Sequence, residues 1–168
     1  MFSKQPDNHK NNSPTIHLIV GFLGFGKTTL AKQLEKELSA KRFTHDEIMV
    51  ERYGRNPDDF QAKFQEIDIF IRQQAAKTIK NGQDVIMDYG FWNHTVRDEY
   101  YKWAKTLTDN VLFHVIDCDI NLAKARVLKR SQTDKDALII DENAFNLFLT
   151  KYEPFSKQDN YPVVWHHS

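Results

Sequence analysis

The stretch Gly21-Phe22-Leu23-Gly24-Phe25-Gly26-Lys27-Thr28-Thr29 constrains this chain more than any other. It fits the pattern G-x-x-x-x-G-K-[ST] and separates two segments of opposite habit. Before it, Thr15-Ile16-His17-Leu18-Ile19-Val20 reads as a buried strand. After it, from Lys27 to about Ala40, Leu30, Leu34 and Leu38 recur on one helical face. A glycine-rich loop between strand and helix can curl so that successive N–H groups point at one anion. The following helix aims its positive end at the same place. In such a loop Lys27 reaches the terminal phosphates of a nucleotide, and the Thr28 hydroxyl ligates Mg²⁺. The alternative is a plain glycine-rich turn with Lys27 exposed to solvent.

Strand and helix patterns go on alternating, which predicts an α/β fold with a mainly parallel sheet of five strands. The second strand is short, near Arg42-Phe43-Thr44, and ends at His45-Asp46. Tyr53-Gly54-Arg55-Asn56-Pro57 reads as a loop. Asp58 or Asp59 then caps a helix with Phe60, Phe64, Ile67, Ile71 and Ala75 in its stripe, ending at Asn81-Gly82. Val85-Ile86-Met87-Asp88 is the third strand, His94 to Leu107 a helix, and Val111 to Ile116 the fourth strand. A helix from about Asn121 to Arg130 leads into a polar, mobile-looking stretch, Ser131 to Ile140. Asp141 caps a last helix, and Tyr161 to Trp165 reads as the fifth strand, its proline marking a start or an edge.

The 168 residues suffice for one domain with a full core. Lys and Arg balance Asp and Glu at 23 each, so no overall field draws the chain to nucleic acid or to an anionic membrane. Cys118 is the only cysteine, which leaves no disulfide or thiol metal cluster and suits a cytoplasmic setting. No run of about 18 apolar residues predicts a membrane span. Residues 1–13, rich in Asn, Lys, Gln and Pro, read as a disordered lead-in to a domain at 14–168.

In a parallel sheet with right-handed crossovers, ligands gather at the carboxyl ends of the strands. Asp88 closes an apolar strand, the place of a carboxylate that holds Mg²⁺ directly or through water; the other reading is a turn residue. The next residue is Tyr89, where a water-polarising Glu would stand in a motor-type ATPase. Asp46 follows the second strand, where a carboxylate can align an acceptor hydroxyl and take its proton; the alternative is a helix cap. Phe91 and Trp92 stand at the expected pocket mouth, to stack on a substrate or to fill core. His94 and Arg97 could reach a polar acceptor or merely begin a solvated helix. Arg126 and Arg130, four apart, share a helix face and suit a transferring phosphoryl group. The stretch of about 126–142 then reads as a small lid that excludes water. His166-His167 reads as frayed chain, and His17 and His114 as residues satisfied within the sheet.

Together these pieces resemble the small P-loop kinases, near the AAA-type ATP-binding proteins related to zeta toxins, chloramphenicol phosphotransferase and shikimate kinase. The resemblance rests on Gly21–Thr29, Asp46, the Val85–Trp92 segment with Arg97-Asp98, the Ala125–Arg130 segment and Tyr152-Glu153-Pro154. It implies a three-layer α/β/α P-loop NTPase fold with a small lid, ATP as donor and Mg²⁺ as cofactor. It implies that Arg126 and Arg130 bind phosphate, that Asp46 is base or aligner, and that Glu153-Pro154 lies by the adenine. The chain stops just after the last strand, without the C-terminal helix of many such kinases. The region Glu47 to Pro57 matches no single acceptor signature.

The expected function is ATP-dependent transfer of the γ-phosphoryl group to a hydroxyl of a small molecule. The catalytic set is Lys27, Asp46, Arg126 and Arg130. Residues Gly21 to Thr29 hold the nucleotide, and Thr28 and Asp88 hold the metal. Asp46, Phe91, Trp92 and Arg97 face the acceptor. The rivals are a nucleoside or nucleotide kinase, with Phe91 and Trp92 stacking on a base, and a slow ATP-hydrolysing regulatory protein. A kinase of RNA ends fits the neutral charge poorly, and no Asn-Lys-x-Asp motif supports a GTPase. The sequence is silent on oligomeric state.

Overall fold

The computed structural model describes residues 13–168, so the lead-in expected at 1–13 lies almost wholly outside the described residues. The elements alternate as expected: β1 Thr15–Val20, α1 Lys27–Leu38, β2 Lys41–Phe43, α2 His45–Tyr53, α3 Phe60–Lys80, β3 Val85–Gly90, α4 His94–Leu107, β4 Asn110–Asp117, α5 Ile120–Thr133, α6 Glu142–Leu149 and β5 Val163–His167. The five strands form one sheet in the order β2-β3-β1-β4-β5, and each pairing is parallel. The central strands are apolar almost throughout because both their faces are covered.

One face carries Ile16, Leu18, Val20, Val85, Met87, Phe113 and Val115, packed under Met49 of α2, the Ile67–Ile71–Ala75–Ile79 stripe of α3, and Tyr100 and Ala104 of α4. The other carries Ile19, Ile86 and Ile116 against Ala31 of α1, Ala123 and Val127 of α5, and Phe145 of α6. The result is the expected three-layer α/β/α fold.

The structure differs from the sequence reading at three places. Helix α2 was foreseen only as the alternative in which Asp46 caps a helix: Thr44 is the cap, and His45 and Asp46 open the helix rather than end a strand. Its cues are the acidic first turn, Asp46 and Glu47, and Gly54 at the C-terminus with φ 81°. Strand β3 runs two residues past Asp88 to Gly90, carrying that carboxylate inside the strand. Strand β5 starts after the proline, whose carbonyl accepts from Phe113 N–H at 2.9 Å. It therefore includes His166 and His167, paired with Ile116 and Asp117. They are strand residues and not frayed chain.

Candidate active site

The loop after β1 turns on Gly24 and Gly26, both left-handed at φ 76° and 90°. A side chain at Gly24 would bring its Cβ to 2.4 Å from the Ala123 carbonyl, so the loop rests directly on α5. The apolar residues of the loop anchor it from within. Phe22 is fully buried, with its ring 5.1 Å from both Trp92 and Phe145, and Phe25 meets Tyr152 at 5.7 Å. Phe22, Leu23 and Phe25 thus face the core, which leaves only their backbone for a ligand. Lys27 Nζ folds back to donate to the Phe22 carbonyl at 2.9 Å.

Beside this loop, Thr28 Oγ1 donates to Asp88 Oδ2 at 2.9 Å. Arg42 of β2, which the sequence reading passed over, approaches the same oxygen at 3.9 Å. It is braced by Glu35 at 3.3 Å and Glu47 at 3.0 Å, while its Nη1 is buried without a hydrogen-bond partner among the described residues. The signal was a cation in a strand one position before the sheet's carboxyl end. Burial pushes the Asp88 carboxyl up, against Lys27 and the Thr28 hydroxyl, which pull it down. Burial likewise pushes the Lys27 ammonium down, while Asp88 and Asp46 pull it up.

Asp46, in the first turn of α2, opens on the same cavity as Lys27 and Arg130. Its surface is accessible, yet protein surrounds the carboxyl on most sides. That desolvation pushes its pKa up, and Lys27 and Arg130 oppose it. Lys27, Thr28, Asp46, Asp88 and Arg130 therefore converge on one cavity of ≈ 790 Å³. Its size falls within the roughly 300–1,000 Å³ of small-molecule sites.

The cavity continues outward between α3, α4 and the segment after α5. In that outer half stand Phe60 and Phe64, which the sequence reading placed in a helix stripe, and His45, Gln61, Gln65, Asp68 and Arg72, to which it gave no role in a site. Leu138, Ile139 and Ile140 form its roof, in the stretch expected to be a lid. Arg55 ties that stretch down, donating to the carbonyls of Ala137 at 2.7 Å and Ser131 at 3.0 Å. A second cavity of ≈ 540 Å³ lies behind the loop, lined by Gly24, Gln33, Arg126, Arg130 and the residues His166 to Ser168.

The expected arginine pair is therefore divided. Arg130 borders both cavities, whereas Arg126 borders only the second, donating to the Gly24 carbonyl at 3.2 Å and to Ser168 Oγ at 2.8 Å. Trp92 stands half-buried in the wall of the main cavity. Phe91 is 2% exposed, held at φ 47° and stacked near Tyr89, so it shapes the wall from behind.

Arg97 does not face the acceptor. It is 1% exposed and chelates Asp159, Nε to Oδ1 at 2.9 Å and Nη2 to Oδ2 at 3.0 Å. Its remaining nitrogen donates to the carbonyls of Phe91 at 3.1 Å and Glu153 at 2.9 Å. Burial would raise the Asp159 carboxyl, but Arg97 and His94 hold it below the usual carboxylate range. The Glu153 segment, expected by the adenine, is fastened here, its N–H donating to the Trp92 carbonyl. Arg97 thus locks the turn after β3 to the chain before β5, a structural duty.

Thr28 and Asp88 offer a hydroxyl and a carboxylate, an oxygen pair that suits Mg²⁺ carried in with phosphates. Among the described residues, no cluster of three or more His, Cys, Asp or Glu could form a protein-only metal site.

A family model for the AAA domain (AAA_33) matches residues 16–155. The chain belongs to that family. No curated protein is similar enough in sequence to register as a match. Among solved structures, a Chloroflexus aurantiacus protein assigned as a kinase superposes with a TM-score of 0.73 at 16% identity, covering 92% of this chain and 88% of that one. Chaetomium thermophilum Kti12, solved with ADP-AlF3, gives 0.68 at 16% identity over 90% and 88%. A gluconokinase from Sinorhizobium meliloti gives 0.62 at 12% identity over 92% and 83%. At such identities the likeness is one of fold, the P-loop NTPase α/β fold of small kinases. Among the described residues, no helix is long and apolar enough to cross a membrane.

Proposed function

We propose that this chain is an ATP- and Mg²⁺-dependent kinase that transfers the γ-phosphoryl group to a hydroxyl of a small molecule. The observation that carries this reading is the meeting of Lys27, Thr28, Asp88, Arg130 and Asp46 on one cavity whose outer half continues past them. That leaves room for an acceptor next to the nucleotide phosphates. The kinases among the fold neighbours support the same class of chemistry.

In this reading the loop N–H groups and Lys27 cradle the phosphates, with Lys27 leaving the Phe22 carbonyl for the nucleotide. The nucleoside end extends into the second cavity, beside Arg126 and His166 to Ser168. Thr28 and Asp88 would hold Mg²⁺, which would supply neutralising charge to the phosphates. The acceptor oxygen bonds to the γ-phosphorus as the bond from that phosphorus to the β,γ-bridging oxygen breaks. The hydroxyl proton passes to Asp46, whose raised pKa suits a proton acceptor, and ADP leaves. Arg130 meets the charge that builds on the equatorial oxygens. The roof at Leu138 to Ile140 keeps water from competing.

The test is acceptor-dependent turnover. With γ-labelled ATP and a metabolite pool, we expect a labelled organic product that falls about 10²-fold or more in Asp46→Asn. Label released only as inorganic phosphate, equally by Asp46→Asn, would favour a nucleotide-hydrolysing switch.

A further inference from the structure

We infer that the acceptor is an uncharged alcohol carrying a planar ring, of nucleoside size, and not one bearing a phosphate or carboxylate. This deepens the kinase reading and rests on it. The argument begins with the cations. Among the described residues, those lining the main cavity are Lys27, Arg55, Arg72 and Arg130. Lys27 and Arg130 belong to the transfer end. The outer half has only Arg55 and Arg72, and both are engaged by the protein itself.

Arg72 donates to Asp68 at 3.0 Å and to Glu99, with its guanidinium 4.1 Å above the Tyr100 ring. Tyr100 donates to the other oxygen of Asp68. Arg55 spends two nitrogens on the Ala137 and Ser131 carbonyls. A phosphate or carboxylate on an acceptor needs a guanidinium or ammonium free to grip it. Here it would meet Asp68 and Glu99 with their partners already taken. An anionic acceptor would therefore meet two carboxylates and a single cation outside an ion pair, Arg55, whose Nε and Nη2 are fixed on backbone carbonyls, so its desolvation would be poorly compensated.

The rest of the wall favours a flat neutral group. The His45 ring lies on Phe64 at 3.9 Å and 8° between planes, and Phe60 continues that surface at 6.0 Å and 29°. Four polar atoms of lining residues are buried with no hydrogen-bond partner among the described residues: both His45 ring nitrogens, Tyr89 Oη and Trp92 Nε1. Because these atoms carry almost no accessible surface, the wall offers a ligand its ring faces rather than these nitrogens and this hydroxyl. Gln61 and Gln65, one turn apart on α3, add amides that both donate and accept. Aromatic faces with neutral donors and acceptors at their rim recognise a ring with polar edges. A nucleoside and a polar aromatic alcohol share that chemistry.

The experiment offers the full-length protein, Mg²⁺ and γ-labelled ATP to five acceptor sets. These are nucleosides, polar aromatic alcohols, nucleoside monophosphates, sugar acids and neutral sugars. We expect labelled monoester from nucleosides or aromatic alcohols, and the productive set tells which source applies. Phe60 is 41% exposed, so Phe60→Ala should fold. It is expected to raise the acceptor KM about tenfold, as loss of one stacking face would, while the ATP KM stays within about twofold. Transfer mainly to monophosphates or sugar acids would overturn the inference while leaving the kinase reading intact. So would transfer to neutral sugars with Phe60→Ala unchanged. Label appearing only as inorganic phosphate, or nowhere, would remove the kinase reading itself and the inference with it.

Discussion

At the inner end of the main cavity, Lys27 and Thr28 open α1 just after the glycine loop and Asp88 stands within β3 near its carboxyl end, so their positions follow from backbone geometry. At the outer end, Phe60, Phe64 and Asp68 come from successive turns of α3, and their partners Arg72 and Tyr100 from α3 and α4. The inner end gathers charges of both signs that face the cavity, with burial raising Asp88 and lowering Lys27. At the outer end Arg72 is balanced by Asp68 and Glu99, Arg55 is fixed on backbone carbonyls, and the wall presents rings and amides. One end is thus built for charge in motion, the other for recognition without charge.

The largest effect should come from breaking the inner end. Arg130→Ala is expected to cut turnover by roughly 10³-fold with ATP binding nearly intact, since Arg130 borders the transfer site. Arg126→Ala, which touches only the second cavity, is expected to raise the ATP KM by about tenfold with turnover little changed, the loss of one good contact. Steady-state kinetics on the two variants checks the split. Identical profiles would contradict the division between them.

A stability measurement sharpens the boundary of the site. Arg97→Met leaves the Asp159 carboxylate buried without its chelate, which should cost about 3–5 kcal/mol in denaturant unfolding. A normal unfolding midpoint with a raised acceptor KM would return Arg97 to the acceptor site.

The smallest effect lies away from both ends. His17, His114 and His166 form a chain across the sheet, with nitrogens 2.9 Å and 3.1 Å apart, and Asp84 stands 3.7 Å from His17. Burial, with the neighbouring His17 and His166, pushes His114 from the ordinary 6.5 down to about 4. The unfolded chain then binds the proton more readily between those values. Stability contributed by neutral His114 should be full above about 6.5 and decline as pH falls towards 4. In His114→Gln the stability–pH curve should flatten over that range by no more than about 1.4 kcal/mol per pH unit. Parallel curves for the two proteins would contradict this.

The inner end was legible in the sequence because its geometry is local. A glycine loop between a strand and a helix dictates where Lys27 and Thr28 lie, and an apolar strand closing on Asp88 dictates the rest. Most element boundaries were legible too, from the spacing of apolar residues. Arg97 was misread because its partner, Asp159, is 62 residues away in a segment with no regular structure. Its charge near the start of a helix looked solvated, and only the fold reveals the chelate. The outer wall was illegible for a related reason. Phe60 and Phe64 read as helix stripe, and nothing in their spacing says that the stripe overhangs a cavity. Helix α2 stood only as the alternative reading of Asp46 because its nine residues bury little beyond His45 and Met49.

The most direct test of the account is a phosphorus NMR time course of the protein with ATP, Mg²⁺ and the ring-bearing alcohol pool, beside Asp46→Asn. The account predicts a new phosphomonoester resonance growing in step with ADP, and its near absence in the variant. Growth of inorganic phosphate and ADP alone, at the same rate in both proteins, would contradict it.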